Sequence, residues 1–176
     1  DYSPYAQKRD AAIAADAGMS VHVYDDAVLM PPGTVLKDDG DPYVVYTPYK
    51  KRWNVPDKPA ISERHFRRDW FYDLSDITND GIPTLDDLDH DATIRLPDAS
   101  EDEALKRLDT FINGDLTRYD ETRNYLPINP YDGSNPAGTS YLSPYLRLGL
   151  LSPRQSYWAA RNAYAKENNE EKRESI

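Results

Sequence analysis

The chain has 176 residues, of which 39% are hydrophobic and 30% charged, with 14 Pro and a formal net charge of −10. That length suits one ordinary domain or pieces of two, and the absence of Cys excludes a disulfide framework, a thiolate metal site and a cysteine nucleophile. No apolar run approaches the roughly 18 residues of a membrane span, and the acidic excess argues against a self-sufficient nucleic-acid binder.

The charge is unevenly spread. Residues 47–70 carry seven Lys/Arg against three acids, a net of +4, while residues 71–110 carry twelve Asp/Glu against three basic residues, a net of −9. This predicts a segmented chain with a basic strip in one part and a solvated acidic connector in another. The beginning "DYSPYAQKRD" has neither Met nor the apolar core of a signal peptide, and "EEKRESI" closes a helical pattern in a polar tail. The sequence therefore reads as an excerpt of a soluble, cytoplasmic protein.

In chain order, Ser3-Pro4 is an N-cap and first-position pair for a helix through "YAQKRDAAIAADA", which Gly18 ends. "SVHVYDD" then alternates as a strand does, with Val21 and Val23 on one face and His22 as a sheet-face residue. Helix followed by strand is the order of the last unit of a parallel α/β sheet. "LMPPGTVLKDDGDPY" is a turn-rich loop, and "VVYTPYKKRW" is a short extended piece followed by a helical turn capped by Thr47 before Pro48. The "YKKRW" part mixes basic and aromatic side chains, which suits a nucleic-acid backbone contact and an ordinary surface helix equally well.

Residues 54–98 show no sustained period and hold Pro56, Pro59, Pro83 and Pro97 among many Asp. Structureless stretches of that length are uncommon inside a compact domain, which predicts a linker. "SEDEALKRLDTFI" then places Glu103 three residues after Ser100, a capping-box arrangement, with Leu105, Leu108 and Ile112 at helical spacing. From Leu116 to about Asn168 the pattern is helical, with breaks at Pro127–Gly138 and Gly149. The fold class expected is an α/β remnant, a long linker and an all-α segment, over residues 1–53, 54–99 and 100–176.

Three features invite a functional reading. "DITNDGIPTLDD" places Asp76, Thr78, Asp80 and Gly81 at positions 1, 3, 5 and 6 of a calcium-binding loop, but Pro83 and Asp87 stand at positions 8 and 12, and helical flanks are missing. A solvated acidic linker explains it better. His22, His65 and His90 lie far apart with no helical partner, so nothing supports a metal site. The third feature is "GTSYLSPYLRLGLLSPRQ", which holds two Leu-Ser-Pro starts nine residues apart. Ser143-Pro144 and Ser152-Pro153 both suit N-cap and first-position roles, and Gly149 suits the end of the helix between them. Thr139 and Ser140 precede the helix, so their hydroxyls and N–H groups can converge with those of Ser143 on an anion such as phosphate.

Four stretches resemble the photolyase/cryptochrome family, specifically the class I type deoxyribodipyrimidine photolyases: "YSPYAQKRD", "DDAVLMPPGTVLKDDGDPYVVYTPYKKRW", "RYDETRNYLP" and "GTSYLSPYLRLGLLSPRQ". They occur in family order across nearly the whole chain. The resemblance implies that residues 1–53 end an N-terminal α/β antenna domain, that 54–99 link two domains, and that 100–176 begin a helical FAD-binding domain. It implies that Thr139, Ser140, Leu142 and Ser143 hold the FAD phosphates, that Tyr119 contacts the flavin, and that Arg123 approaches the phosphates of a damaged strand. The activity implied is light-driven DNA repair, a lyase reaction in which photoexcited reduced FAD splits cyclobutane pyrimidine dimers. A cryptochrome-type blue-light photoreceptor and a 6–4 photolyase share the same flavin site.

The partner implied is DNA containing pyrimidine dimers, with no membrane, and the intact protein is expected to be a monomer. Tyr5-Ala6 stand where folate-antenna members carry Asn-Glu, so a folate antenna is not expected and the antenna chromophore is left unassigned. The loop "INPYDGSNPA" is longer than in many members. No catalytic residue is assigned within the chain, and the 176 residues alone are expected to be inactive.

Overall fold

A computed structural model describes the chain except residues 1, 26, 63–66, 79–80, 91–96, 125–137 and 176. Helices make up the regular structure of the described residues, apart from one isolated bridge, with turns and irregular segments between them. The described residues contain α1 (Pro4–Asp16), α2 (Tyr46–Trp53), α3 (Glu101–Asn113), α4 (Tyr119–Thr122), α5 (Ser143–Leu148), α6 (Pro153–Lys166) and α7 (Glu170–Ser175), with short 3-10 turns at Arg68–Trp70, Asp86–Leu88 and Asp115–Arg118.

Local chemistry accounts for several boundaries. Ser3 caps α1 by accepting from the Ala6 N–H at 3.2 Å, and beyond the helix Gly18 takes a φ of +63°. Ser100 caps α3 through the Glu103 N–H at 3.2 Å, but the Glu103 carboxylate pairs with Arg107 at 2.9 Å and Lys106 at 3.3 Å. Val45, not Thr47, is the N-cap of α2, which has no side-chain capping bond. Gly149 ends α5 in the left-handed conformation.

The expected strand over residues 20–26 is not a strand among the described residues. Val21, His22, Val23 and Tyr24 are exposed, and residue 26 lies outside the description. A strand exists only as part of a ladder, and the described residues offer this one no neighbour. The helix of the expected helix–strand unit is present as α1, and residues 20–25 after it are irregular. The sole bridge described is antiparallel, Leu36 to Pro42, closed by the turn at Gly40. In the expected linker, Asp87 folds back on Thr84, whose N–H and hydroxyl it accepts at 2.8 and 2.7 Å.

The core belongs to the second half of the chain. Ala104 and Leu108 of α3, one turn apart, pack with Leu142, with Tyr145 of α5 and with Leu151, while Ile112, Leu150 and Ala159 close the edges. Tyr145 and Leu151 are fully buried. Among the described residues a latch joins the first half to this body. Trp158 of α6 donates its indole N–H to the Pro59 carbonyl oxygen at 2.8 Å, and Tyr157 meets the Trp53 ring edge-on at 5.9 Å. Lys58, 8% exposed, donates to the Trp53 and Pro56 carbonyl oxygens and lies 4.1 Å over the Trp53 ring. The segment after α2 is thus anchored at its start.

Candidate functional site

The two Leu-Ser-Pro starts have the same three residues and opposite structures. At the second, Ser152 accepts from the Gln155 N–H at 3.1 Å while the Gln155 side chain accepts from the Ser152 N–H at 2.8 Å, a complete capping box. At the first, Leu142 is the N-cap, Ser143 is the first helical residue, and no side-chain capping bond forms. The expected N-cap role of Ser143 is therefore corrected by one residue. The second start also has Gln155 at N3 to return a bond to its cap, whereas Leu146, three residues beyond Ser143, has no side chain that could.

Ser143 keeps its hydroxyl for something else. Among the described residues the side chains of Thr139, Ser140 and Ser143 make no hydrogen bond, and Thr139 and Ser140 are half-buried. Tyr141 sits between them at φ +50°, a left-handed conformation that bulky residues rarely adopt and that costs on the order of 1–3 kcal/mol. The turn is held from both ends, by Leu142 in the core and by buried Gly138. Because α5 has only six residues, its dipole contributes little. The unpaired hydroxyls characterise this loop.

The contrast gives a direct expectation for stability. Ser152→Ala should lower stability by about 1 kcal/mol through the lost cap, whereas Ser143→Ala should leave it unchanged. Thermal unfolding of the two variants side by side checks this. Equal losses would mean that Ser143 is a cap after all.

Two other candidates lie on α4 and at its end. Tyr119 opens α4, half-buried, with its ring edge-on to Phe111 of α3 at 5.9 Å. Arg123 is exposed and its side chain has no partner among the described residues, although Arg118 nearby pairs with Asp115 at 3.3 Å. The Thr122 hydroxyl donates to the Gly138 carbonyl oxygen at 3.3 Å, which joins the end of α4 to the start of the hydroxyl loop across residues 125–137. Leu142 differs from the rest, since its side chain lies in the core and only its main chain is left to face a ligand. Thr122, Gly138 and Lys58 were not singled out from sequence. Of these, only Gly138 gave a signal, as the glycine opening the loop.

The remaining sequence candidates lie away from this loop. Among the described residues no group of three His, Cys, Asp or Glu could hold a metal ion. His65 and Asp80 lie outside the described residues, and Asp87 is engaged with Thr84, whose two hydrogen bonds hold its carboxyl below the usual range. A groove of about 580 Å³ runs between α3 and α6, lined by Leu105, Asp109, Asn113, Asn162 and Lys166 among others. It contains none of the six candidate residues.

Comparison with known proteins agrees with the motifs. Residues 1–63 match the family model described as DNA photolyase. Over its whole length the chain is 32% identical to a deoxyribodipyrimidine photo-lyase of Halobacterium salinarum and 31% identical to one of Synechococcus sp., covering 36% and 37% of those proteins. Its structure resembles a bacterial class III photolyase from Agrobacterium tumefaciens with a TM-score of 0.61 and 25% identity, over 99% of this chain and 36% of that one. The chain thus spans a little over a third of the length of these relatives.

Proposed function

Since the chain belongs to the DNA photolyase family, we propose that the intact protein is a light-driven DNA repair enzyme that splits cyclobutane pyrimidine dimers, and that this chain supplies part of its flavin clamp. The observation that carries the reading is the set of unpaired hydroxyls on Thr139, Ser140 and Ser143, in a chain whose other capping serines are engaged. Such a set fits a pyrophosphate. Hydroxyl and main-chain N–H donors around a doubly charged anion form charge-assisted hydrogen bonds, each worth roughly 1.5–3 kcal/mol. FAD, when bound, supplies the light-driven electron that opens the dimer.

The chain's own residues bind and orient. Thr139, Ser140 and Ser143 hold the phosphates with their hydroxyls, Leu142 contributes main chain, and Tyr119 contacts the flavin from α4. Arg123, exposed and without a partner among the described residues, meets a DNA backbone phosphate, which gives affinity and register without base identity. The damaged bases leave the duplex to reach the flavin. On this reading residues 1–53 close an antenna domain, 54–99 link, and 100–176 open the flavin domain. The protein acts as a monomer inside the cell, where its DNA is. No helix described is long and apolar enough to cross a membrane. The 176 residues alone neither retain FAD nor repair DNA.

The deciding experiment is loss of cyclobutane thymine dimers under blue light by the intact protein, with a dark control. Repair in light alone is expected. Bound flavin without repair would turn the reading to the 6–4 photoproduct or to a cryptochrome-type photoreceptor. For the clamp, Thr139→Ala and Ser143→Ala should each weaken FAD retention roughly tenfold, the equivalent of one lost charge-assisted bond. Flavin released on dilution reports it. Wild-type retention in both variants would remove the clamp assignment.

A further inference from the structure

The end of α4 and the start of the hydroxyl loop meet at one joint. Thr122 Oγ1 is a shared donor, to the Arg118 carbonyl oxygen at 2.9 Å and to that of Gly138 at 3.3 Å. The main chains are closer still. A Cβ built on Gly138 would fall 1.9 Å from the Thr122 carbonyl oxygen and 2.5 Å from its carbonyl carbon. Arg123 follows Thr122 directly and Thr139 follows Gly138, so each side of the joint carries a candidate ligand-binding residue one position on.

Neither side is rigid by itself. α4 is a single turn, closed by the Arg123 N–H to the Tyr119 carbonyl oxygen at 3.0 Å. The loop has Leu142 fixed in the core at one end and the Thr122 contact at the other. Helices this short have little stability of their own and take their position from what they touch.

We propose that Thr122 is a positioning residue that couples the two sites, so that an anion on the Thr139–Ser143 loop and a DNA phosphate at Arg123 favour one and the same arrangement of the joint. The proposal rests on the reading of those sites given above. A ligand that orders the loop also orders the turn carrying Arg123, so the second ligand loses less conformational freedom on binding. The coupling is reciprocal, because both ligands draw on one equilibrium.

The test uses the intact protein, FAD and a short undamaged duplex, which meets Arg123 through its backbone phosphates and offers no extruded dimer to touch the flavin directly. Duplex affinity is measured by fluorescence anisotropy with FAD bound and after its removal, and the ratio of the two is the coupling factor. The wild type should show a ratio of roughly 5- to 150-fold, as coupled sites do. Thr122→Val, which keeps the branched shape and loses the donor, should bring it to within about threefold of unity. Thr122→Ser should retain the wild-type ratio, and Thr122→Ala should repeat the loss where valine disturbs packing. A merely structural role would lower the unfolding temperature and both affinities together and leave the ratio intact. An unchanged ratio in both the valine and alanine variants overturns the proposal, as does a wild-type ratio of one. Failure of the underlying reading is distinct: flavin retention would ignore Thr139→Ala and Ser143→Ala, or duplex affinity would ignore Arg123→Gln.

Discussion

Gly138→Ala is expected to lower stability by about 3 kcal/mol and to leave the protein unable to hold flavin. The added methyl group would sit 1.9 Å from the Thr122 carbonyl oxygen and 3.2 Å from the Thr122 Cβ. Real Cβ atoms do not come within 3.0 Å of other heavy atoms, so more than 1 Å of movement is needed. The obstacle is main chain, which has no rotamer to change. Either the end of α4 or the loop must yield, and Arg123 or Thr139 moves with it. Gly149→Ala is the control. Its φ of +75° is strained for alanine, yet nothing lies within 4 Å of the added atom. It should cost only about 1 kcal/mol and leave flavin content at the wild-type level. Thermal unfolding and the flavin-to-protein ratio of purified variants separate the two. Flavin retained at the wild-type ratio in Gly138→Ala would mean that the loop does not hold the cofactor.

The residues that could be read in advance are those whose roles are local. Ser3-Pro4, Ser100 and Gly149 are caps and stops whose partners lie within four residues, and each appears where the pattern puts it, although the Glu103 carboxylate turns to Arg107 instead of completing a capping box. Ser143 is the exception, one residue inside the helix it was expected to cap. The residue three positions on decides only whether a cap is reciprocal, as Gln155 makes that of Ser152, for Ser3 caps α1 with Ala6 in that place.

Other features depend on distant parts of the chain. "SVHVYDD" has the alternation of a strand, but alternation fixes only which side chains share a face, and a ladder needs a second strand that no local pattern supplies. Thr122 and Gly138 stand sixteen residues apart with residues 125–137 between them, and a close approach of two main chains leaves no periodicity to detect. The candidate site itself was legible as a set of hydroxyls. What the structure adds is that they lack partners among the described residues, and that the arginine-bearing turn lies against them.

Lys58 illustrates the same limit and carries the second large effect. In sequence it is one cation of a basic strip, and in the structure it is nearly buried against Trp53. Its ammonium satisfies the Trp53 and Pro56 carbonyl oxygens and covers the Trp53 indole, which in turn meets Tyr157 beside the Trp158–Pro59 hydrogen bond. Lys58→Ala would strand two acceptors, remove a cation–π contact and open a gap, at a cost of about 2–4 kcal/mol. Trp158→Phe keeps the ring volume nearest the latch and deletes one hydrogen bond, so about 1 kcal/mol is expected. Burial pulls the Lys58 ammonium below its ordinary value of 10.5, with Asp57 opposing the shift. The unfolded chain therefore binds this proton more readily, and the wild type should gain stability as pH rises towards 10.5 relative to Lys58→Ala. Urea unfolding of both proteins across alkaline pH measures the difference, since tyrosine ionisation is common to the two. A loss under 1 kcal/mol at neutral pH would show that the segment after α2 is not held by this latch, and that the first sixty residues are positioned by something else.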